Sequence, residues 1–457
     1  TTEIYTLSLH DALPIFLRNI KDISNPELNW MQLETNEYGD WLNKRNDTFS
    51  FYSPLAPEQK FDEESQSFFV VNAVGVASSR DAWVYNFSKK ELEENIRRNI
   101  QFYNQQLSDF SEYGKQGKQV SVMDFISRDH SKISWSVNLI KDFERSIEQV
   151  FRSDKIRIGS YRPFMKQHLY FNKSLIERPG INNKNFPISS GKNAVITVTG
   201  EGNLGFSVLI TSLIPDYCYT KTGNGGCQAF PLYYFEEKNL EPPTLWDNSA
   251  QRDLVRRDGV TDFILERARK QYGVNVTKED IFYYVYGFLH SPEYRTTFAN
   301  DLKKSLPRLP LVDDVRDFWA FSKAGRQLAD LHIGYENVPP CPELVVTGAE
   351  SGFFRVEKMR FPKKGQKDTI LYNSAITITN IPARAYEYVV NGKSAIEWVM
   401  ERYQVTTHKE SGITNDPNDW AEEVGNPRYI LDLLLSIVNV SLKTIEIVEG
   451  LPRVEFE

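Results

Sequence analysis

The side chains best suited to chemistry gather between residues 151 and 193. Nine basic residues (Arg152, Lys155, Arg157, Arg162, Lys166, Lys173, Arg178, Lys184, Lys192) face two acids, Asp154 and Glu177. Tyr161, Phe164, Tyr170 and Phe171 are interleaved among them. Lys and Arg neutralise phosphates, while Arg, Lys, Asn and Gln hydrogen-bond base edges. Aromatic rings stack on bases or wedge into base steps. This combination points to nucleic acid. For any single ring the commoner outcome is core packing, with the basic heads reaching past it to solvent. A second basic stretch, residues 355–368, sets six basic residues, including Lys363 and Lys364, against Glu357 and Asp368. Residues 217–228 are polar and glycine-rich and lie between two strand-like segments, a setting suited to reading bases. The candidate DNA contacts are Arg162, Lys166, His168, Asn172, Arg178, Lys221, Asn224, Gln228, Lys363 and Lys364. Arg80, Asp81 and Trp83 are read as fixing internal structure.

Other chemistries are weaker. Pro215-Asp216 followed by Glu236-Glu237-Lys238 has the form of a PD-(D/E)xK nuclease set, in which two carboxylates hold a divalent cation that activates water. The alternative is a turn at Pro-Asp and a solvated charge run, which is commoner. Gly392-Lys393-Ser394 has the form of the end of a phosphate-binding loop, but Glu387 stands where the leading glycine belongs. Neither Pro-Pro pair, Glu241-Pro242-Pro243-Thr244 or Val338-Pro339-Pro340-Cys341, sits in the Asp/Asn-Pro-Pro-aromatic motif of an amino-methyltransferase. The histidines are scattered, and no Cys/His spacing matches a zinc site.

The chain that must position these groups has 457 residues, enough for two to four domains. Apolar residues make up 40% and charged residues 25%, which excludes disorder and supports sizeable cores. No apolar run reaches the roughly 18 residues of a membrane span. The net charge of -7 taken alone argues against nucleic acid. Averaging hides the segregation, however: with two basic stretches set aside, the remainder is more acidic still. Cys218, Cys227 and Cys341 form no disulfide framework and predict a reducing, cytoplasmic setting. Residues 6–15 coincide with one reading frame of a common sequencing adapter, so residues 1–16 are expected to be non-native and the chain to be the later part of a longer one.

Five segments follow: 1–16 adapter-like; 17–150 mixed α/β; 151–255 a basic, β-rich recognition core; 256–340 helical; 341–457 a C-terminal α+β unit. The β-branched run 67–76 predicts a strand. Ser88-Lys89-Lys90-Glu91 predicts a helix start with Leu92, Ile96, Ile100 and Tyr103 inward. Residues 108–119 predict a loop, 137–151 a helix, 194–199, 205–211 and 230–235 strands. Thr277 and Ser291-Pro292 open further helices, 315–332 another, 369–381 a strand, 394–404 and 427–439 helices, and 444–448 a final strand. The fold class is α+β: a mixed β-sheet recognition core with a helical C-terminal subdomain.

Eight blocks in order carry a resemblance. They are Asn36-Glu37-Tyr38-Gly39-Asp40-Trp41-Leu42, Arg80-Asp81-Ala82-Trp83-Val84-Tyr85-Asn86-Phe87, Tyr161-Arg162-Pro163-Phe164, Ile214-Pro215-Asp216, Gln228-Ala229-Phe230-Pro231-Leu232-Tyr233, Phe282-Tyr283-Tyr284-Val285-Tyr286-Gly287 with Leu289-His290-Ser291-Pro292-Glu293-Tyr294, Asp317-Phe318-Trp319-Ala320-Phe321, and Asn391-Gly392-Lys393-Ser394-Ala395-Ile396-Glu397-Trp398-Val399. Over residues 30–452 the chain resembles the C-terminal specificity region of type ISP restriction–modification enzymes. The resemblance implies double-stranded DNA as partner, an upstream methyltransferase domain on the same polypeptide, and AdoMet, ATP and Mg²⁺ sites outside these residues. It implies no catalytic residue here, places residues 16–23 at the methyltransferase end, and sets the nuclease far upstream. A PD-(D/E)xK nuclease or a protein-docking scaffold are the alternatives.

Overall fold

The computed structural model describes residues 15–17, 31–33, 35–36, 38–40, 43–117, 119–187, 192–237 and 254–456. Most of the adapter-like stretch, residues 18–23, Trp30, Trp41, Leu42, Lys238 and the Pro242-Pro243 pair lie outside them. Ile15–Leu17 pairs antiparallel with Met31–Leu33.

Two four-stranded sheets lie at the centre of an α+β architecture. Their strands are β1 (Ala73–Val74), β2 (Tyr85–Asn86), β3 (Ile156–Arg162), β4 (Met165–Tyr170), β5 (Val195–Thr199), β6 (Val208–Thr211), β7 (Ile214–Pro215) and β8 (Cys227–Pro231). The first sheet has the order β7-β3-β4-β2 and is mixed: β7 runs parallel to β3 and the other pairs are antiparallel. The second, β1-β8-β5-β6, is antiparallel throughout. Every residue of β5 and β6 is buried, as expected of strands covered on both faces.

The predicted strand at 67–76 is extended but does not form one ladder. Its amides bond in turn to the carbonyls of Pro54, Leu55, Gly259, Cys227 and Pro215. Only Ala73–Val74 qualifies as a strand, because the segment passes between neighbours on both sheets. Gly75 permits the crossing: a Cβ there would lie 2.4 Å from the Asp216 carbonyl oxygen.

Helix α1 (Lys89–Lys115) covers the first sheet with Leu92, Ile96, Ile100, Tyr103 and Leu107. It runs through residues expected to form a loop. Phe110 and Tyr113 prolong it by packing on Phe125, at ring distances of 5.0 and 5.8 Å, and Phe110 also meets Phe143 of α2 (Val137–Glu144). A two-stranded ribbon, β9 (Tyr233–Glu237) with β10 (Leu254–Asp258), leads to the helical part. There α3 (Asp262–Tyr272), α4 (Lys278–Phe288), α5 (Pro292–Thr297) and α6 (Val315–Ile333) cover the outer face of the second sheet through Ile196, Val198, Ile210 and Phe230. Thr277 and Asp280 form a capping box at α4, and Ser291 with Pro292 starts α5, as their spacing predicts.

A small sheet of β11 (Val345–Thr347), β12 (Ile370–Leu371) and β13 (Thr377–Thr379) packs with α7 (Ala395–Arg402), α8 (Pro417–Glu423) and α9 (Tyr429–Glu449). Helix α9 includes residues 444–448, expected to be a strand. Their β-branched content suits a strand, but Val440 and Thr444 continue one buried helical stripe. Among the described residues no helix is long and apolar enough to cross a membrane.

Candidate nucleic-acid interface

The basic segment divides into groups held inside and groups offered to solvent. Arg162 closes β3, where a register shift between Ser160 and Arg162 marks a bulge. Bulges re-aim side chains, and here the guanidinium turns inward. It bonds the Asp216 carboxylate, donates to its neighbour's carbonyl, Tyr161 O, at 2.6 Å, and lies 3.4 Å from Asp81. Tyr161 in turn donates its hydroxyl to Asp81 at 2.8 Å. Burial alone would lower the Arg162 guanidinium, but Asp216, Tyr161, Asp81 and Cys218 together outweigh it and hold the group above its ordinary value. Burial pushes the Asp216 carboxyl up to about 7, against the pull of Arg162 and the amides of Cys218 and Tyr217. A phosphate contact by Arg162 would have to displace a buried carboxylate, which is costly. Arg80 and Asp81 sit in the same internal network, with Arg80 bonded to the Ser134 carbonyl and Asp81 to the Ser78 hydroxyl.

Lys166 and His168, on one side of β4, face later parts of the chain. Lys166 Nζ lies 2.6 Å from Glu336, and His168 Nε2 lies 2.9 Å from Glu423 with its ring against Trp420. Burial lowers the His168 pKa, with Glu423 opposing. Glu423 also accepts the Lys89 amide at 2.7 Å and the Ser88 hydroxyl at 3.3 Å. It thereby completes the cap of α1 from another element, a role that sequence spacing does not signal. Gln228 on β8 accepts a bond from Asn72 at 2.8 Å. These three side chains are engaged within the protein.

The candidates Arg178 and Asn172 face outward, as does Lys173 of the basic run. Arg178 and Lys173 are exposed, and Asn172 caps the turn that follows β4 by accepting the Ser174 amide at 2.8 Å. Asn172 and Lys173 line a groove of about 850 Å³ together with Lys155, Arg157, Lys184 and Phe171. Arg157 donates to the Phe186 carbonyl at 3.1 Å and stays half-buried. Lys155, Arg157, Lys173 and Lys184 belong to the basic run, but the run alone does not single them out.

Two loops form a second outward surface. In the 217–228 loop, Thr222 accepts the amides of Leu204 and Gly205, both at 3.2 Å, and donates to the Gly205 carbonyl at 2.7 Å. The Asn224 amide donates to the Gly202 carbonyl at 3.3 Å. Asn203 is buried and donates to the carbonyls of Gly200 and Leu302 at 2.8 and 2.7 Å. Gly225 allows the close approach, since a Cβ there would fall 2.4 Å from the Gly200 oxygen. The joined loops present Leu204, Gly223 and Asn224 to solvent, with Lys221 above the Tyr217 ring at 4.8 Å. Lys363 and Lys364 are exposed in the connection before β12 and belong to a different sheet.

Of the nuclease set, Lys238 lies outside the described residues, and the two carboxylates are each engaged elsewhere. Asp216 is buried against Arg162, whereas Glu236 on β9 faces Arg257 at 3.6 Å. Among the described residues no three His, Cys, Asp or Glu side chains are grouped to hold a metal.

The family profile described as the type ISP C-terminal specificity domain matches residues 67–433. A nuclease-deletion mutant of the type ISP restriction-modification enzyme LlaGI, solved in complex with a DNA substrate mimic, is 38% identical over 94% of the chain with a TM-score of 0.80. The ATP-dependent type ISP restriction-modification enzyme LlaBIII, bound to DNA, is 37% identical over 94% with a TM-score of 0.80. A DrdV–DNA complex is 25% identical over 94% with a TM-score of 0.76. The chain spans 37%, 26% and 41% of those three chains respectively. No curated protein sequence matches. The profile covers most of the length and the identity to LlaGI extends over nearly all of it, so the chain belongs to the type ISP C-terminal specificity domain family.

Proposed function

We propose that the chain recognises a specific sequence in duplex DNA, as the target-recognition region of a single-chain restriction–modification enzyme. The observation that carries this reading is its similarity, over 94% of its length, to two type ISP enzymes solved with DNA or a DNA mimic. Lys155, Lys173, Arg178 and Lys184 supply the phosphate contacts, which fix position without reading sequence. Asn224 and Lys221 on the joined loops read base edges. Lys363 and Lys364 add a second phosphate contact. Recognition would present the target adenine to the upstream methyltransferase, which must draw it out of the stack. AdoMet, ATP and Mg²⁺ belong to that longer parent, in a bacterial cytoplasm.

Selection from a randomised duplex pool at two salt concentrations tests the proposal. One sequence should be enriched, with binding that weakens steeply as salt rises. Recovery of no sequence would sink the reading. Magnesium-dependent cleavage lost on changing Asp216 would revive the nuclease, but the buried Arg162–Asp216 pair argues against it.

A further inference from the structure

We propose that Arg162 is a positioning residue for the 217–228 loop: by holding Asp216 at the root of that loop, it sets base discrimination without touching DNA. The inference rests on the reading that this loop reads bases.

Asp216 is the residue from which the loop departs. Its carboxylate, bonded to Arg162, accepts the Cys218 amide at 2.8 Å. Its own amide donates to the Ser160 carbonyl at 2.9 Å, and it forms a parallel bridge with Val76. The next residue, Tyr217, donates its amide to Val76 O at 2.9 Å and accepts the Cys227 amide at 2.8 Å, which closes the far end of the loop. The Tyr217 ring also seals that end, because a Cβ on Gly226 would fall 2.1 Å from it. Both ends of the loop are therefore fastened at or next to the residue that Arg162 holds. Without Arg162 the buried carboxylate either takes a proton or admits water, since an unpaired buried charge is not tolerated. Both responses alter the carboxylate that accepts the Cys218 amide. The loop tip, where Asn224 and Lys221 sit, inherits the displacement.

The test compares the unsubstituted 457-residue chain, called the natural chain below for its residues at 162, 216 and 226, with Arg162→Gln, Asp216→Asn and Gly226→Ala. Binding is measured on the duplex that the natural chain selects, on single-mismatch duplexes, and over a salt series, with thermal melting to confirm folding. Preference for the selected duplex over mismatches should fall at least about tenfold in all three variants, the scale of one base contact. The slope of log affinity against log salt should stay that of the natural chain, because no phosphate contact is lost. Gly226→Ala changes no charge and disturbs the loop from its other end, so it keeps the test decisive if the charge variants do not fold. A slope reduced by about one in Arg162→Gln alone would make Arg162 a phosphate contact and overturn the proposal. Undiminished preference in folded Arg162→Gln or in Gly226→Ala would also overturn it. If the natural chain selects no sequence, the recognition function itself fails, and that result is visible before any variant is compared.

Discussion

At the residue scale, what already holds a cation decides what else it can do. Lys166 and Arg162 are bonded to carboxylates inside the protein, and a phosphate would have to replace those bonds. Arg178 is exposed, and among the described residues only its backbone is tied, through paired bonds to Ala77. Such a group releases counterions on binding and adds to affinity without reading sequence. Arg178→Ala is therefore expected to weaken binding by a similar factor for selected and unselected duplexes. It should also reduce the salt slope by about one. A filter-binding salt series on both duplexes measures this. A loss confined to the selected sequence would instead make Arg178 a base reader. The sequence shows that basic residues are abundant here, and Asp154 pairs locally with Arg152 and Lys155, but Arg162, Lys166 and His168 are held by carboxylates at 216, 336 and 423, far away along the chain.

At the element scale, α4 and α6 touch backbone to backbone. A Cβ on Gly325 would lie 1.8 Å from the Tyr283 carbonyl oxygen, and one on Gly287 would lie 2.1 Å from that of Phe321. Gly325→Ala gains about 1 kcal/mol of helix propensity, but separating the helices costs about 3 kcal/mol. The net expectation is a loss of about 2 kcal/mol, read as a lower urea midpoint. Gly114→Ala is the contrasting case, because a Cβ there meets nothing within 4 Å. It is expected to stabilise by up to about 1 kcal/mol in the same assay. Helix starts were legible because caps act within four residues, as at Thr277 and Ser394. The C-terminal half of α1 was not, because its cause is Phe125 and Phe143, which the chain brings back from later positions.

At the scale of the whole molecule, the parts meet around His332. Its Nδ1 lies 2.6 Å from the Tyr286 hydroxyl on α4 and its Nε2 lies 2.9 Å from Thr444 on α9. Thr444 donates its own proton to the Val440 carbonyl, so it accepts from Nε2 and leaves Nδ1 to accept from Tyr286. The ring stacks on Tyr388 at 5.3 Å and meets Phe164 of the β3–β4 turn edge-on at 6.5 Å. Burial lowers the His332 pKa from 6.5 to about 3. Between those values the unfolded chain binds a proton that the folded one refuses. His332 therefore makes stability rise with pH, and stability is lost as pH falls below about 6.5. His332→Gln should flatten the dependence of unfolding free energy on pH between about 6 and 4, by about 1.4 kcal/mol per pH unit, in urea titrations compared with the natural chain. An unchanged slope would mean that the imidazole is protonated in the fold.

The sequence by itself determined the α+β class, the caps, the uneven distribution of charge and, through eight ordered blocks, the family. These are local patterns or their order, and they need no third dimension. The tertiary structure decided which cations are free, because a salt bridge such as Arg162–Asp216 joins residues 54 positions apart. It also decided that the 217–228 loop is bolted to the turn at 200–205 and rooted on that buried pair. Burial and pairing are properties of neighbours in space, so a stretch that reads as one uniform basic segment becomes in the fold two populations: internal ties and an exposed surface.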